Sequence, residues 1–191
     1  MNNIPMIKNF LLSIFCSFIF SLQLFAQTPT PKVLIIGIDG VRPDALVVAN
    51  TPNIDALAVN GTFSLNALTR FPTVSGPGWS SMLTGVWHEK HGVTDNDFSG
   101  SDFVNYPHFF NRVEDYNPML HTASIAHWPF VNWAIVDQAD FETEIFDDVG
   151  IADEAIDYLL NENPDVLFLH FDDVDGAGHG FGYGISIPGY M

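Results

Sequence analysis

Two continuous apolar runs constrain the fold of this chain more than any other feature. Val33 to Ile38 reads VLIIGI, and the stretch after Asp165 reads VLFLHF up to Phe171. Short runs rich in branched and aromatic residues, without polar alternation, suit strands buried on both faces of a parallel sheet. Each run ends abruptly in acid: Asp39-Gly40 after the first, Asp172-Asp173-Val174-Asp175 after the second. Ligands of open α/β sheets bind beyond the carboxyl ends of the strands, so parallel neighbours would bring these acids to one edge.

The intervening chain reads as helices and a few further strands. Pro43 to Val48 suits a short helix. Thr51-Pro52-Asn53 opens a second, which runs through Ala58 and stops at Asn60-Gly61. Phe63 to Leu68 reads as a second strand, and a helix from Gly76 to about Leu83 is closed by Gly85. Val86 to Pro118 has little periodicity and reads as loop and short irregular structure over the active face. Thr122 to Ala126 suits a strand. Ile151 to Leu160 is amphipathic, with Ile151, Ala155, Ile156, Leu159 and Leu160 opposite Asp153, Glu154 and Asp157. Alternating strands and helices imply an α/β fold with a mostly parallel sheet.

The beginning of the chain has a different character. Lys8 precedes an almost wholly apolar stretch from Phe10 to Phe25, followed by Ala26 and a Thr-Pro-rich segment. This is the pattern of a signal peptide over residues 1–26, leaving 27–191 as one exported domain, secreted or periplasmic; a retained anchor is the alternative. The only cysteine, Cys16, falls in the apolar stretch, so the mature part has none to pair. No later segment is long and apolar enough to span a membrane. The formal charge of −17 excludes nucleic-acid binding through a general basic field. It does not exclude a phosphate-bearing small molecule, because bound divalent cations reverse the local field.

Three elements could carry chemistry. Ser75 stands at the mouth of the helix after Phe71-Pro72-Thr73-Val74, where it suits an N-cap with Gly76 and Pro77 in the first turn. First-turn N–H groups left unpaired there would welcome an anion. A hydroxyl beside an anion site suggests phosphoryl or sulfuryl transfer, although a lone Ser-Gly-Pro is more simply a helix cap. Asp175-Gly-Ala-Gly-His179 pairs a carboxylate with an imidazole, both common zinc ligands, across a glycine-rich turn. Asp39 could be a third ligand, or could simply hydrogen-bond the turn that follows it.

The order of these elements is more specific than any of them alone. Ile-Asp39-Gly follows the first strand. Thr51-Pro-Asn-Ile-Asp55 comes next, then Ser75 ahead of Thr84-Gly85, then His91-Gly92-Val93, and last Asp175-x-x-Gly178-His179 after a late strand. From Val33 to His179 the chain resembles the alkaline phosphatase superfamily, and within it the type I phosphodiesterase/nucleotide pyrophosphatase family. The resemblance implies an α/β/α sandwich and two divalent metal ions, zinc in that family. It assigns Asp39 and Ser75 to one ion, with Ser75 as nucleophile, and Asp175 and His179 to the other. The implied reaction is in-line attack on a small-molecule phosphate ester, a covalent phosphoserine, then hydrolysis.

Two departures accompany the resemblance. Phosphodiesterases of the family usually carry Phe-Pro-Asn-His after the nucleophile, with the Asn helping to bind a phosphoryl oxygen; here Gly76-Pro77-Gly78-Trp79 stands there, and Gly78 has no side chain to donate. Trp79 is expected to pack beneath the site. Relatives also supply an Asp-His pair and a further His downstream, whereas only twelve residues follow His179 here. His88, His91, His108, His121, His127 and His170 read as loop or packing histidines, and Asp172 and Asp173 as neighbours of the site. The expectation is therefore a sandwich incomplete at its C-terminus and an impaired hydrolase. The competing readings are a phosphomonoesterase, a phosphonate hydrolase, a sulfatase (though Trp79 replaces the arginine a sulfatase needs) and a non-catalytic exported remnant. Leaving group and oligomeric state are open.

Overall fold

The computed structural model describes residues 31–71 and 73–191; the expected signal peptide lies outside the described residues. Four strands form one sheet: β1 (Val33–Ile38), β2 (Thr122–Ala126), β3 (Phe141–Glu144) and β4 (Val166–Phe171). Their order is β1-β4-β2-β3, and every pairing is parallel. The two apolar runs of the sequence are neighbours in register, Val33 opposite Val166 and Ile38 opposite Phe171. Asp39 and Asp172 therefore leave the sheet side by side.

Strand alternation sorts β4 between two cores. Leu167 and Leu169 join Ala123, Ile125, Ile151, Ala155 and Tyr158, where helix α6 (Asp148–Asn161) covers one face. Val166 and Phe168 turn the other way and join Trp79, Leu83, Phe110, Val131, Ile135 and Val136. That face is covered by α3 (Ser75–Thr84), α5 (Phe109–Tyr116) and a π-helical turn (Val131–Ile135). Helices on both faces of a parallel sheet give the expected α/β/α layering. The shorter helices are α1 (Pro43–Val48), α2 (Pro52–Asn60), α4 (His88–His91) and α7 (Asp173–Phe181).

Several local expectations are corrected. Phe63 to Leu68 forms no strand: the segment is irregular and exposed, and without a neighbour to complete a ladder its alternation of apolar and polar residues is not enough. The stretch from Val86 to Pro118 is not all loop, because it holds α4 and α5. The Gly-rich run from Asp175 to His179 is helical rather than a loop, so its two ligand-type side chains meet as i and i+4 neighbours. Among the described residues no helix is long and apolar enough to cross a membrane.

Candidate active site

The site is built at the C-terminal edge of the sheet, where β1 and β4 release their chains. Asp39 follows β1 directly. Its Oδ1 accepts the Gly40 N–H at 2.8 Å, and its Oδ2 accepts the indole Nε1–H of Trp79 at 2.9 Å. His170, the penultimate residue of β4, faces the same oxygen with Nε2 at 4.0 Å. Asp172 completes the group: donor atoms of Asp39, His170 and Asp172 all lie within 4.8 Å of one another.

Gly40 brings the second part of the site close. It adopts φ +72°, a left-handed conformation open to glycine, and a Cβ there would fall 2.8 Å from Cβ of Asp175. The β1–α1 turn and the first turn of α7 thus touch backbone to backbone. On α7, Asp175 Oδ2 lies 3.2 Å from His179 Nε2. Its Oδ1 accepts the Tyr183 hydroxyl at 2.6 Å. Tyr190 ties the same region down, donating to the Gly40 carbonyl at 2.8 Å.

Ser75 is placed by α3. It is the first residue of the helix and not its cap; Val74 holds the N-cap position in extended conformation. Trp79, one turn further along the same helix, meets Asp39 through its indole N–H. The expected row of free first-turn N–H groups is also corrected. Gly76 N–H donates to Asn96 Oδ1 at 2.7 Å, Pro77 has none, and Gly78 N–H donates to the Val74 carbonyl at 3.0 Å. The Asn96 carboxamide, which the sequence reading left within a loop, therefore sits on the residue next to Ser75.

Electrostatics set this edge apart. Burial, then the nearby charges of Asp39 and Asp175, push the Asp172 carboxyl up to about 6. Burial pushes His170 down to about 4, against the raising pull of Asp39. Three carboxylates therefore crowd one edge beside a neutral imidazole, an arrangement that a bound cation relieves. The donor set suits a divalent cation: carboxylate and imidazole side chains, with one buried ring nitrogen, His170 Nε2, that has no hydrogen-bond partner.

A second group, His127, Asp148 and Asp173, also brings donor atoms within 4.8 Å, but its polar atoms answer each other. Asp148 accepts from the N–H groups of Asp172 and Asp173 at 2.8 and 3.2 Å, and its Oδ1 pairs with His127 Nδ1 at 2.9 Å. This group is a bracket for the β4–α7 junction. Sequence reasoning treated His127 as a packing histidine and passed over Asp148, whose place at the start of α6 carries no local signature.

The family model for type I phosphodiesterase / nucleotide pyrophosphatase matches residues 33–134, more than half of the chain. The chain belongs to the type I phosphodiesterase/nucleotide pyrophosphatase family. An uncharacterized pyrophosphatase/phosphodiesterase of Schizosaccharomyces pombe is 27% identical over 175 residues, which cover 78% of this chain and 36% of the relative. Human bis(5'-adenosyl)-triphosphatase ENPP4 is 25% identical over 174 residues, covering 80% and 38%. This member of the phosphodiesterase family thus spans between 20% and 39% of the length of the curated relatives it matches. Among solved structures, murine ENPP5 as an inactive threonine-to-alanine variant in complex with AMP superposes with a TM-score of 0.64 at 20% identity, covering 82% of this chain and 47% of that one. This likeness shows the alkaline-phosphatase-like fold.

Proposed function

We propose that this chain carries the nucleophile side of an exported, metal-dependent phosphoric ester hydrolase of the phosphodiesterase/pyrophosphatase type. The observation that carries the reading is the placement of Ser75: it opens α3, with Asn96 bound to the next residue and Trp79, one turn on, bound to Asp39. Nucleotide-type phosphate esters are the substrate class, in keeping with the names of the relatives. The leader expected over residues 1–26 directs the protein to a secreted or periplasmic location.

Asp39 and Ser75 would hold one divalent cation, and Asp175 and His179 a second, with zinc as the expected metal. A bound cation supplies positive charge that makes the Ser75 hydroxyl more acidic and screens the phosphate. Ser75 Oγ loses its proton to solvent and attacks phosphorus in line. The bond from phosphorus to the leaving oxygen breaks, and that oxygen leaves with the electron pair. Water then attacks the phosphoserine and returns Ser75. Asn96 takes over the part that Gly78 lacks: with Oδ1 held by the Gly76 N–H, its amide NH₂ remains to donate to a phosphoryl oxygen.

Purified chain with zinc and bis(p-nitrophenyl) phosphate tests this reading. The expected result is p-nitrophenolate release in step with a p-nitrophenyl phosphoryl group trapped on Ser75 by acid quench. Release that survives in Ser75→Ala, or the absence of any covalent adduct, overturns it.

A further inference from the structure

Asp39 is held by more donors than a lone turn carboxylate needs. Its Oδ1 takes the Gly40 N–H, while Oδ2 takes Trp79 Nε1–H at 2.9 Å and faces His170 Nε2 at 4.0 Å. Both rings are buried, Trp79 at 5% and His170 at 0% exposure. They meet edge to face, centroids 4.6 Å apart at 68°.

We infer that Trp79 is a positioning residue for Asp39, an N–H donor that fixes the rotation of its carboxylate before a cation arrives. The inference rests on the reading of Asp39 as a cation ligand. The choice of residue types supports it. An indole N–H donates and has no lone pair for a metal, and it carries no charge. Trp79 therefore orients Asp39 without competing for the ion and without cancelling the charge that attracts it. A lysine would do the opposite, and a histidine at this position, as in the Phe-Pro-Asn-His of relatives, would add a competing nitrogen. Losing a supporting donor of this kind commonly lowers metal affinity.

Zinc titration of the full chain and an indole N–H spectrum test this together. Trp79→Phe should weaken zinc binding by about 10–100-fold with an unchanged far-ultraviolet circular dichroism spectrum. In the metal-free protein, one of the four tryptophan indole N–H signals should be missing in Trp79→Phe, and that same signal should move in Asp39→Asn. A folded Trp79→Phe protein that binds zinc like the wild type overturns the inference. So does an Asp39→Asn spectrum in which no indole signal moves, a result that decides the matter even if Trp79→Phe fails to fold. A wild-type chain that binds no zinc overturns the cation reading of Asp39, while the indole shift separately reports whether Trp79 holds the carboxylate.

Discussion

Gly37 of β1 lies directly against the indole of Trp79. A Cβ at Gly37 would fall 2.6 Å from Cζ3 of that ring. The glycine interrupts an otherwise branched strand so that the indole can reach Asp39, two residues further on. Gly37→Ala should therefore cost about 1–3 kcal/mol by overpacking, although alanine normally suits a strand better than glycine. Urea denaturation compares the two proteins; a variant as stable as the wild type would mean that the indole yields freely.

The bracket around Asp148 leads to a second expectation. Its carboxylate answers two backbone N–H groups and the His127 ring at once. Asp148→Ala leaves those donors unmet and should cost about 1–3 kcal/mol, with the largest amide shifts at Asp172 and Asp173. Asp148→Asn keeps one acceptor oxygen and should lose less. Equal stability of all three proteins would contradict the bracket.

The pH dependence of the metal-free protein follows from two opposed shifts. His170 sits at about 4 in the fold against an ordinary 6.5. The unfolded chain binds more protons between those values, so this stabilising contribution is present above 6.5 and is lost as pH falls. Asp172 sits at about 6 against an ordinary 3.8. Here the fold binds more protons, so its contribution is present below 3.8 and is lost as pH rises through 6. The two offset each other in the wild type. Asp172→Asn should show stability rising with pH across the His170 window, and His170→Gln should show it falling across the Asp172 window. Chemical denaturation with chelator present, at several pH values, measures both slopes; parallel profiles for all three proteins would rule the offset out.

Asn96 gives a kinetic prediction. If its amide stabilises the phosphoryl oxygens, Asn96→Ala should lower kcat by about 10²–10³-fold and leave zinc affinity within a few-fold. Asn96→Asp, which substitutes an oxygen for the donor, should be at least as slow. A fall in zinc affinity that matches the fall in kcat would instead make Asn96 a support for the loop.

Much of this architecture was legible in the sequence. The runs at Val33–Ile38 and Val166–Phe171 form strands and the αL glycine closes α3 where expected, but β1 is half exposed rather than buried, and the buried face of α6 is Ile151, Ala155 and Tyr158, while Ile156, Leu159 and Leu160, expected on that face, are exposed. β3 was missed because Phe141-Glu-Thr-Glu144 is a short strand with charged residues and no apolar run. The segment from Phe63 to Leu68 misled for the opposite reason, since alternation states a preference and only a neighbouring strand satisfies it. At the site, sequence order brought Asp39, Ser75, Asp175 and His179 forward as candidates. Asn96, Asp148 and the orientation of His170 were not legible, because each depends on a contact twenty or more residues away along the chain. Trp79 packs beneath the site as expected, but its N–H on Asp39 could not be read from packing alone.

Among the described residues β1 has a neighbour on one side only, and Val33, Leu34 and Ile36 are about half exposed. Its amide protons should therefore exchange with solvent sooner than those of β2 and β4. Asp39 hangs from the end of this margin, while Ser75 opens α3, whose Trp79 and Leu83 are buried in the core. An ion held by Asp39 and Ser75 would act as a rivet between the two, so that occupancy of the site and order of the outer strand become a single linked equilibrium.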